Sequence, residues 1–281
     1  MTPRLTDLGG GVWSFQTPLW QTNSLLVVAG TDGLLCDPAL TPAEIDAIGS
    51  EAGRHAAEVR YLLVTHADYD HVCGIPSFPG ADVVAGVETS ERLRDGTAAA
   101  GLASGGAQWG IEWPGELRAD RVVDAGAELE CGPFRVATID ASSHGREGMG
   151  FVLLDQGVLL AGDNLSAITY PLLAGPLARA IAATETLLAA IERHSLRHVV
   201  PGHGPVLSPD AARRIGLEDL RYLEELEVAA REAADGGLSP GYALIHVHAV
   251  TPPRVTTPDF EIYDIHGGNA RRALADVGIE P

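Results

Sequence analysis

The first third of the chain alternates short apolar runs with turn residues, the pattern of antiparallel hairpins. Residues 11–15 and 24–29 read as strands, Gly30-Thr31-Asp32-Gly33 as a turn, and residues 34–37 as a further strand. Thr41-Pro42-Ala43-Glu44 then marks a helix start: Thr as N-cap, Pro at the first helical position and Glu three residues after the cap, so a helix is predicted over 41–57. An apolar run over 59–65 reads as a buried strand that ends at His66. Residues 88–113 turn helical and then Gly-rich, which predicts a lid-like loop.

A second β-rich stretch opens near Arg121. It holds a strand over 134–139, a hairpin of 151–154 and 158–161 around Asp155-Gln156-Gly157, a helix over 178–194 and a last strand over 198–201. Two successive β, α, β passages predict an α/β fold with two β-sheets inside and helices outside, an αββα sandwich. Past Pro209 a helix is predicted through Glu224 and Ala230, with Leu220, Leu223 and Leu226 on one apolar face that packs on the sandwich. The tail predicts a strand over 243–250, which would put His246 and His248 on one face, and a closing helix from about Asn269. The chain, 1–281, is read as a single domain with 208–281 a helical C-terminal extension packed on it.

Charge narrows the partners. With 19 basic against 38 acidic residues the formal net charge is −19, and no basic run stands out, so no nucleic acid or anionic membrane surface is expected as partner. A small-molecule substrate is expected instead, and a homodimer is admitted. Cys36, Cys73 and Cys131 form neither an even disulfide framework nor a close pair, so they read as reduced thiols of a cytoplasmic protein. No apolar run reaches the length of a spanning helix, and the first residues lack a leader's apolar core.

The chemistry concentrates in Val64-Thr65-His66-Ala67-Asp68-Tyr69-Asp70-His71-Val72-Cys73-Gly74, where four metal-capable side chains crowd the end of an apolar strand. Carboxylates two residues apart repel one another unless a cation or proton neutralises them, and buried His and Asp need partners. A divalent ion meets both needs, with His nitrogen and carboxylate oxygen as its donors. Further along stand Ser142-Ser143-His144-Gly145, Leu159-Leu160-Ala161-Gly162-Asp163-Asn164 and Val199-Val200-Pro201-Gly202-His203-Gly204-Pro205, each placing a His or Asp just after an apolar strand.

In this order the motifs resemble the metallo-β-lactamase superfamily, in particular its glyoxalase-II-like metallo-hydrolases, over roughly residues 10–207. The resemblance implies two divalent metal ions. His66, Asp68 and His144 would hold one, Asp70, His71 and His203 the other, and Asp163 would bridge them, with Asp37 orienting ligands from behind. It also implies a metal-bound hydroxide as nucleophile, oriented by Asp70. The chain departs from the family at Asp68, where the His-x-His-x-Asp-His motif carries its second histidine. Zinc is the first expectation for the metal, and the added carboxylate admits iron or manganese.

The resulting expectation is a metal-dependent hydrolase of a small ester, thioester, lactone or lactam. Tyr170 is a candidate acid toward the substrate. A non-hydrolytic iron enzyme, oxygen-reducing or sulfur-oxidising, and a phosphodiesterase or nuclease are the alternatives. Against the oxygen-reducing type, about 74 residues after position 207 are too few for a flavin domain. His246 and His248 lack a third ligand and read as structural. His266, in Tyr263-Asp264-Ile265-His266-Gly267-Gly268-Asn269, resembles the tail of glyoxalase-II-like members, where it supports packing near the site mouth.

Overall fold

Apolar residues on both faces of the central strands demand cover on both sides, and the computed structural model, which describes residues 2–38, 40–97, 117–145, 147–261 and 263–280, supplies it with two stacked sheets and outer helices. The first sheet has seven strands in chain order: β1 (Arg4–Gly9), β2 (Val12–Gln16), β3 (Asn23–Ala29), β4 (Asp32–Cys36), β5 (Glu58–Val64), β6 (Asp82–Gly86) and β7 (Arg121–Val123). Neighbours pair antiparallel from β1 to β4 and parallel from β4 to β7. The second sheet has the order β12-β11-β10-β9-β8, formed by β8 (Glu128–Cys131), β9 (Phe134–Asp140), β10 (Met149–Leu153), β11 (Val158–Leu160) and β12 (His198–Val200), with only β11 and β12 parallel.

The pleat sorts side chains between layers. Leu25, Val27, Leu34, Cys36 and Leu63 of the first sheet meet Phe134, Val136, Phe151 and Leu160 of the second in the inner core. Leu26, Leu35 and Leu62 face the other way, onto α1 (Pro42–Arg54) and its Ile48 and Ala52. On the far side, Ala137, Val152 and Leu159 pack on Leu187 and Ile191 of α4 (Leu177–Arg193). The α/β sandwich and the helix start at Thr41 are as the sequence indicates. Thr41 Oγ1 accepts the Glu44 N–H, and the Glu44 carboxylate returns to the Thr41 N–H.

Helices α2 (Tyr69–Val72) and α3 (Val87–Asp95) follow β5 and β6. The Gly-rich part of the lid expected over 88–113 falls within residues 98–116, which lie outside the described residues. The chain ends in α5 (Pro209–Asp235), α6 (Pro240–Val247), α7 (Pro258–Glu261) and α8 (Ile265–Asp276). Tyr222, Leu223 and Leu226 of α5 join Ala243 and Val247 of α6, Ala270 and Leu274 of α8, and Leu177 and Ala180 of α4 in one apolar cluster. No helix among the described residues is long and apolar enough to cross a membrane.

Three expectations need correction. Residues 243–250 are not a strand: Ser239 and Pro240 open a helix, and Ala243 and Val247 are buried four residues apart, the helical spacing. His246 and His248 therefore do not share a strand face. The closing helix begins at Ile265, four residues before Asn269, because Asp264 caps it by accepting the Gly267 N–H at 3.1 Å. Strand β1 was not expected; its largely polar, exposed sequence gives no core pattern, and it forms by pairing its edge to β2.

Candidate metal centre

Strand direction gathers the site. β4 and β5 run parallel, so Asp37 and His66 leave at the same end; β11 and β12 run parallel, so Asp163 and His203 also leave together. His144 follows β9, and the short helix α2 sets Asp70 and His71 side by side just after Asp68. All seven expected ligands meet at one edge of the sandwich. Among the described residues their donor atoms form three overlapping groups, each within 4.8 Å: His66, His71 and Asp163; Asp70, His71 and His203; Asp68, His144 and Asp163.

Four imidazoles are held in one orientation. His71 Nδ1 lies 3.0 Å from Asp37 Oδ2, His203 Nδ1 2.9 Å from the Trp20 carbonyl and His144 Nδ1 3.2 Å from the Leu172 carbonyl. Each partner can only accept, so each Nδ1 carries the proton. The Thr65 hydroxyl donates to Asp37 Oδ2 at 2.7 Å, and its lone pair is left to accept from His66 Nδ1 at 3.0 Å. Every Nε2 consequently points inward. His144 Nε2 is 3.1 Å from Asp68 Oδ2, His71 Nε2 3.2 Å from Asp163 Oδ1, His203 Nε2 3.3 Å from Asp163 Oδ2 and 3.4 Å from Asp70 Oδ2, and His66 Nε2 3.6 Å from Asp163 Oδ2.

These inward atoms are underserved as hydrogen-bonding groups. His66 Nε2, His71 Nε2 and Asp163 Oδ1 are buried with no hydrogen-bond partner. Such atoms are costly to leave unsatisfied, and a divalent cation at their centre would engage all three. The residues present therefore fit a metal.

Without a cation the carboxylates and imidazoles hold each other's charge. Burial works against the Asp163 carboxylate, but His203, His66 and His71 outweigh it and hold the group well below the usual carboxylate range. Burial likewise opposes the His71 cation, and Asp70, Asp163 and Asp37 override it to raise the ring's pKa. His144, also disfavoured by burial, is pushed up to about 9 by its bond to Asp68.

A model of the Metallo-beta-lactamase superfamily matches residues 17–231. The chain belongs to this superfamily. It is 24% identical over 189 residues to the Bacillus subtilis protein described as "Probable metallo-hydrolase YqgX", a match that covers 66% of this chain and 86% of that protein. A metallo-beta-lactamase from Hirschia baltica superposes with a TM-score of 0.57 at 18% identity, over 77% of this chain and 97% of that one. The sec-alkylsulfatase Pisa1 from Pseudomonas sp. superposes with a TM-score of 0.74 at 13% identity, over 97% of this chain and 50% of that one. The shared fold thus continues through the C-terminal helices in the second case. Membership in the metallo-beta-lactamase superfamily fits a metal-dependent hydrolase.

Above the donor atoms opens a cavity of about 180 Å³. Trp20, Tyr69, Leu172, Phe260, Tyr263 and Ile265 form apolar walls, with Thr169 and Tyr170 beside them, and no Arg or Lys lines it among the described residues. Tyr170 stacks edge to face on Tyr222 at 5.5 Å, and burial, aided by Asp264, raises its phenol pKa. Asn269 holds the wall segment: its Oδ1 accepts the Leu173 N–H at 2.9 Å and its Nδ2 donates to the Pro171 carbonyl at 2.6 Å. His266 supports the same corner through the Tyr222 hydroxyl at 2.9 Å.

Sequence reasoning missed Trp20, Tyr69, Phe260 and Tyr263 as wall residues, and Thr65, Arg92 and Glu147 beside the ligands. Lone aromatics carry no spacing signal. Arg92 had one: a third carboxylate at Asp68 calls for a nearby cation.

Proposed function

We propose that this chain is a dinuclear metal-dependent hydrolase that cleaves a small, uncharged ester, thioester, lactone or lactam with an apolar acyl portion. The observation that carries the reading is the pinning of four Nδ1–H groups by acceptors, which turns four Nε2 atoms toward Asp68, Asp70 and Asp163. Metal-ligating histidines are oriented in this way.

Asp68, His66 and His144 would hold one ion and Asp70, His71 and His203 the other, with Asp163 between them. Zinc suits this His-rich set, and the oxygen of Asp68 admits iron or manganese. Bound ions would supply Lewis-acid activation of water and of the scissile carbonyl. The rest falls to this chain's own groups. The aromatic walls bind the acyl portion and exclude water, Asp70 accepts a proton from the attacking water, and the protonated Tyr170 offers its own to the leaving group. Thr22 Oγ1 steadies Asp70 by donating to Oδ2 at 3.2 Å.

Among the described residues no Arg or Lys lines the cavity and its walls are mainly apolar, which favours a neutral substrate over sulfate esters and phosphodiesters. The test is turnover by the zinc-loaded chain on a panel of aryl and alkyl esters, thioesters, lactones, β-lactams, a secondary alkyl sulfate and bis-nitrophenyl phosphate. Cleavage of the neutral members, abolished by chelation, is expected. Preference for the sulfate or phosphate ester would overturn the substrate class.

A further inference from the structure

Asp68 stands where the His-x-His-x-Asp-His motif that the sequence resembles carries its second histidine, and its carboxylate is used from both ends. Oδ2 faces His144 Nε2 at 3.1 Å and His66 Nε2 at 3.7 Å. Oδ1 accepts from Arg92 Nη2 at 2.8 Å. Asp68 is also the N-cap residue of α2, yet its side chain makes no capping bond, so the carboxylate is not held by its own helix. Arg92 comes from the last turn of α3, and its other terminal nitrogen, Nη1, is paired with Glu147. The Glu147 side chain is 3% exposed, and its Oε1 also accepts the Ala67 N–H at 3.1 Å, on the residue between His66 and Asp68.

We propose that Arg92 and Glu147 form a brace that makes an aspartate serviceable as a metal ligand at position 68, an inference that rests on the metal reading above. Arg92 occupies the outer oxygen and fixes the carboxylate plane, so that Oδ2 alone is presented inward. A lone guanidinium this close to a metal position would repel the cation it serves. Glu147 cancels that charge, and the Asp68–Arg92–Glu147 unit carries the same net −1 as an isolated aspartate. The rigid fork of Arg suits the task, since its two terminal nitrogens reach two carboxylates at once, which one ammonium cannot do in the same geometry. Arg92 is a positioning residue; it is not among the cavity-lining groups.

The brace predicts a dependence that a merely structural ion pair lacks: Arg92 should aid metal binding only while residue 68 is an acid. The experiment measures zinc stoichiometry and affinity by chelator competition for the full chain, Arg92→Ala, Arg92→Lys, Asp68→His and the double variant Asp68→His/Arg92→Ala, with circular dichroism of each metal-free protein to establish folding. Arg92→Ala should weaken one of two zinc equivalents about 10–100-fold, the range for partners behind a ligand, and Arg92→Lys should recover part of the loss. Asp68→His alone should bind weakly, its imidazole facing an Arg92 cation, and the double variant should regain binding. An equal loss from Arg92→Ala in the wild-type and Asp68→His backgrounds, or no loss with Asp68 intact, would overturn the brace while leaving the metal reading standing. A wild-type chain that takes up none of zinc, iron or manganese would instead overturn the metal reading, and the brace with it.

Discussion

His71 Nδ1 stands 3.0 Å from Asp37 Oδ2, and the Asp37 carboxylate also accepts the Thr65 N–H at 2.8 Å and the Thr65 hydroxyl at 2.7 Å. Asp37 does this from a left-handed backbone, φ +46°, a conformation that Asp tolerates better than bulky residues and that persists at sites the surroundings over-determine. One carboxylate thereby orients two histidines, His71 directly and His66 through Thr65. Asp37→Ala removes both restraints and should lower zinc affinity about 10–100-fold, read by chelator competition; an unchanged affinity would show that the imidazoles need no such orientation.

Gly202 is a glycine because of what lies beside it. A Cβ there would overlap Asp163 Oδ1 and sit 3.0 Å from His71 Cε1. Gly202→Ala should displace the Asp163 carboxylate and abolish tight metal binding, with an overpacking cost of about 1–3 kcal/mol. Metal content and thermal unfolding of the variant check both parts.

The pairing of His144 with Asp68 sets a pH dependence for the metal-free chain. The folded-state pKa of His144 is raised from 6.5 to about 9, so its contribution to stability is fully present below pH 6.5 and is lost as pH rises through 9. Metal binding must displace a proton from the same Nε2, so apparent zinc affinity should rise over that interval while the metal-free melting temperature falls. In His144→Asn the melting temperature should lose this part of its pH dependence.

The cavity wall predicts a split in kinetic constants. Phe260 lies edge to face with His203 at 5.2 Å and Tyr263 shares the mouth. Phe260→Ala should raise KM about tenfold for substrates with long apolar acyl chains and leave acetyl esters nearly unaffected, as one lost apolar contact is worth about that much. A uniform fall in kcat across both substrate sets would place Phe260 in positioning the ligands rather than the substrate.

Much of this architecture is legible in the sequence because burial on both sheet faces leaves mainly apolar runs, and the runs at 59–65, 158–161 and 198–201 each end next to a metal-capable residue or within two positions of one. The seven candidate ligands are readable for the same reason: each follows a strand, and the parallel pairs β4–β5 and β11–β12 deliver theirs to one edge. Legibility fails where structure depends on a distant partner. β1 exists by pairing to β2, α6 by burying Ala243 and Val247, and Glu147 reaches Arg92 across 55 positions of sequence, beyond any local period. The cavity aromatics come from separate segments and share no spacing at all.

The most direct test of the metal centre is elemental analysis of the purified chain for zinc, iron and manganese, together with His144→Ala and Asp163→Ala. Two equivalents of divalent metal per chain are predicted in the wild type, with one weakened or lost in His144→Ala and both lost or loosened in Asp163→Ala. A folded wild-type chain that binds no metal after incubation with each ion, or variants that retain the full complement, would rule out the centre described above.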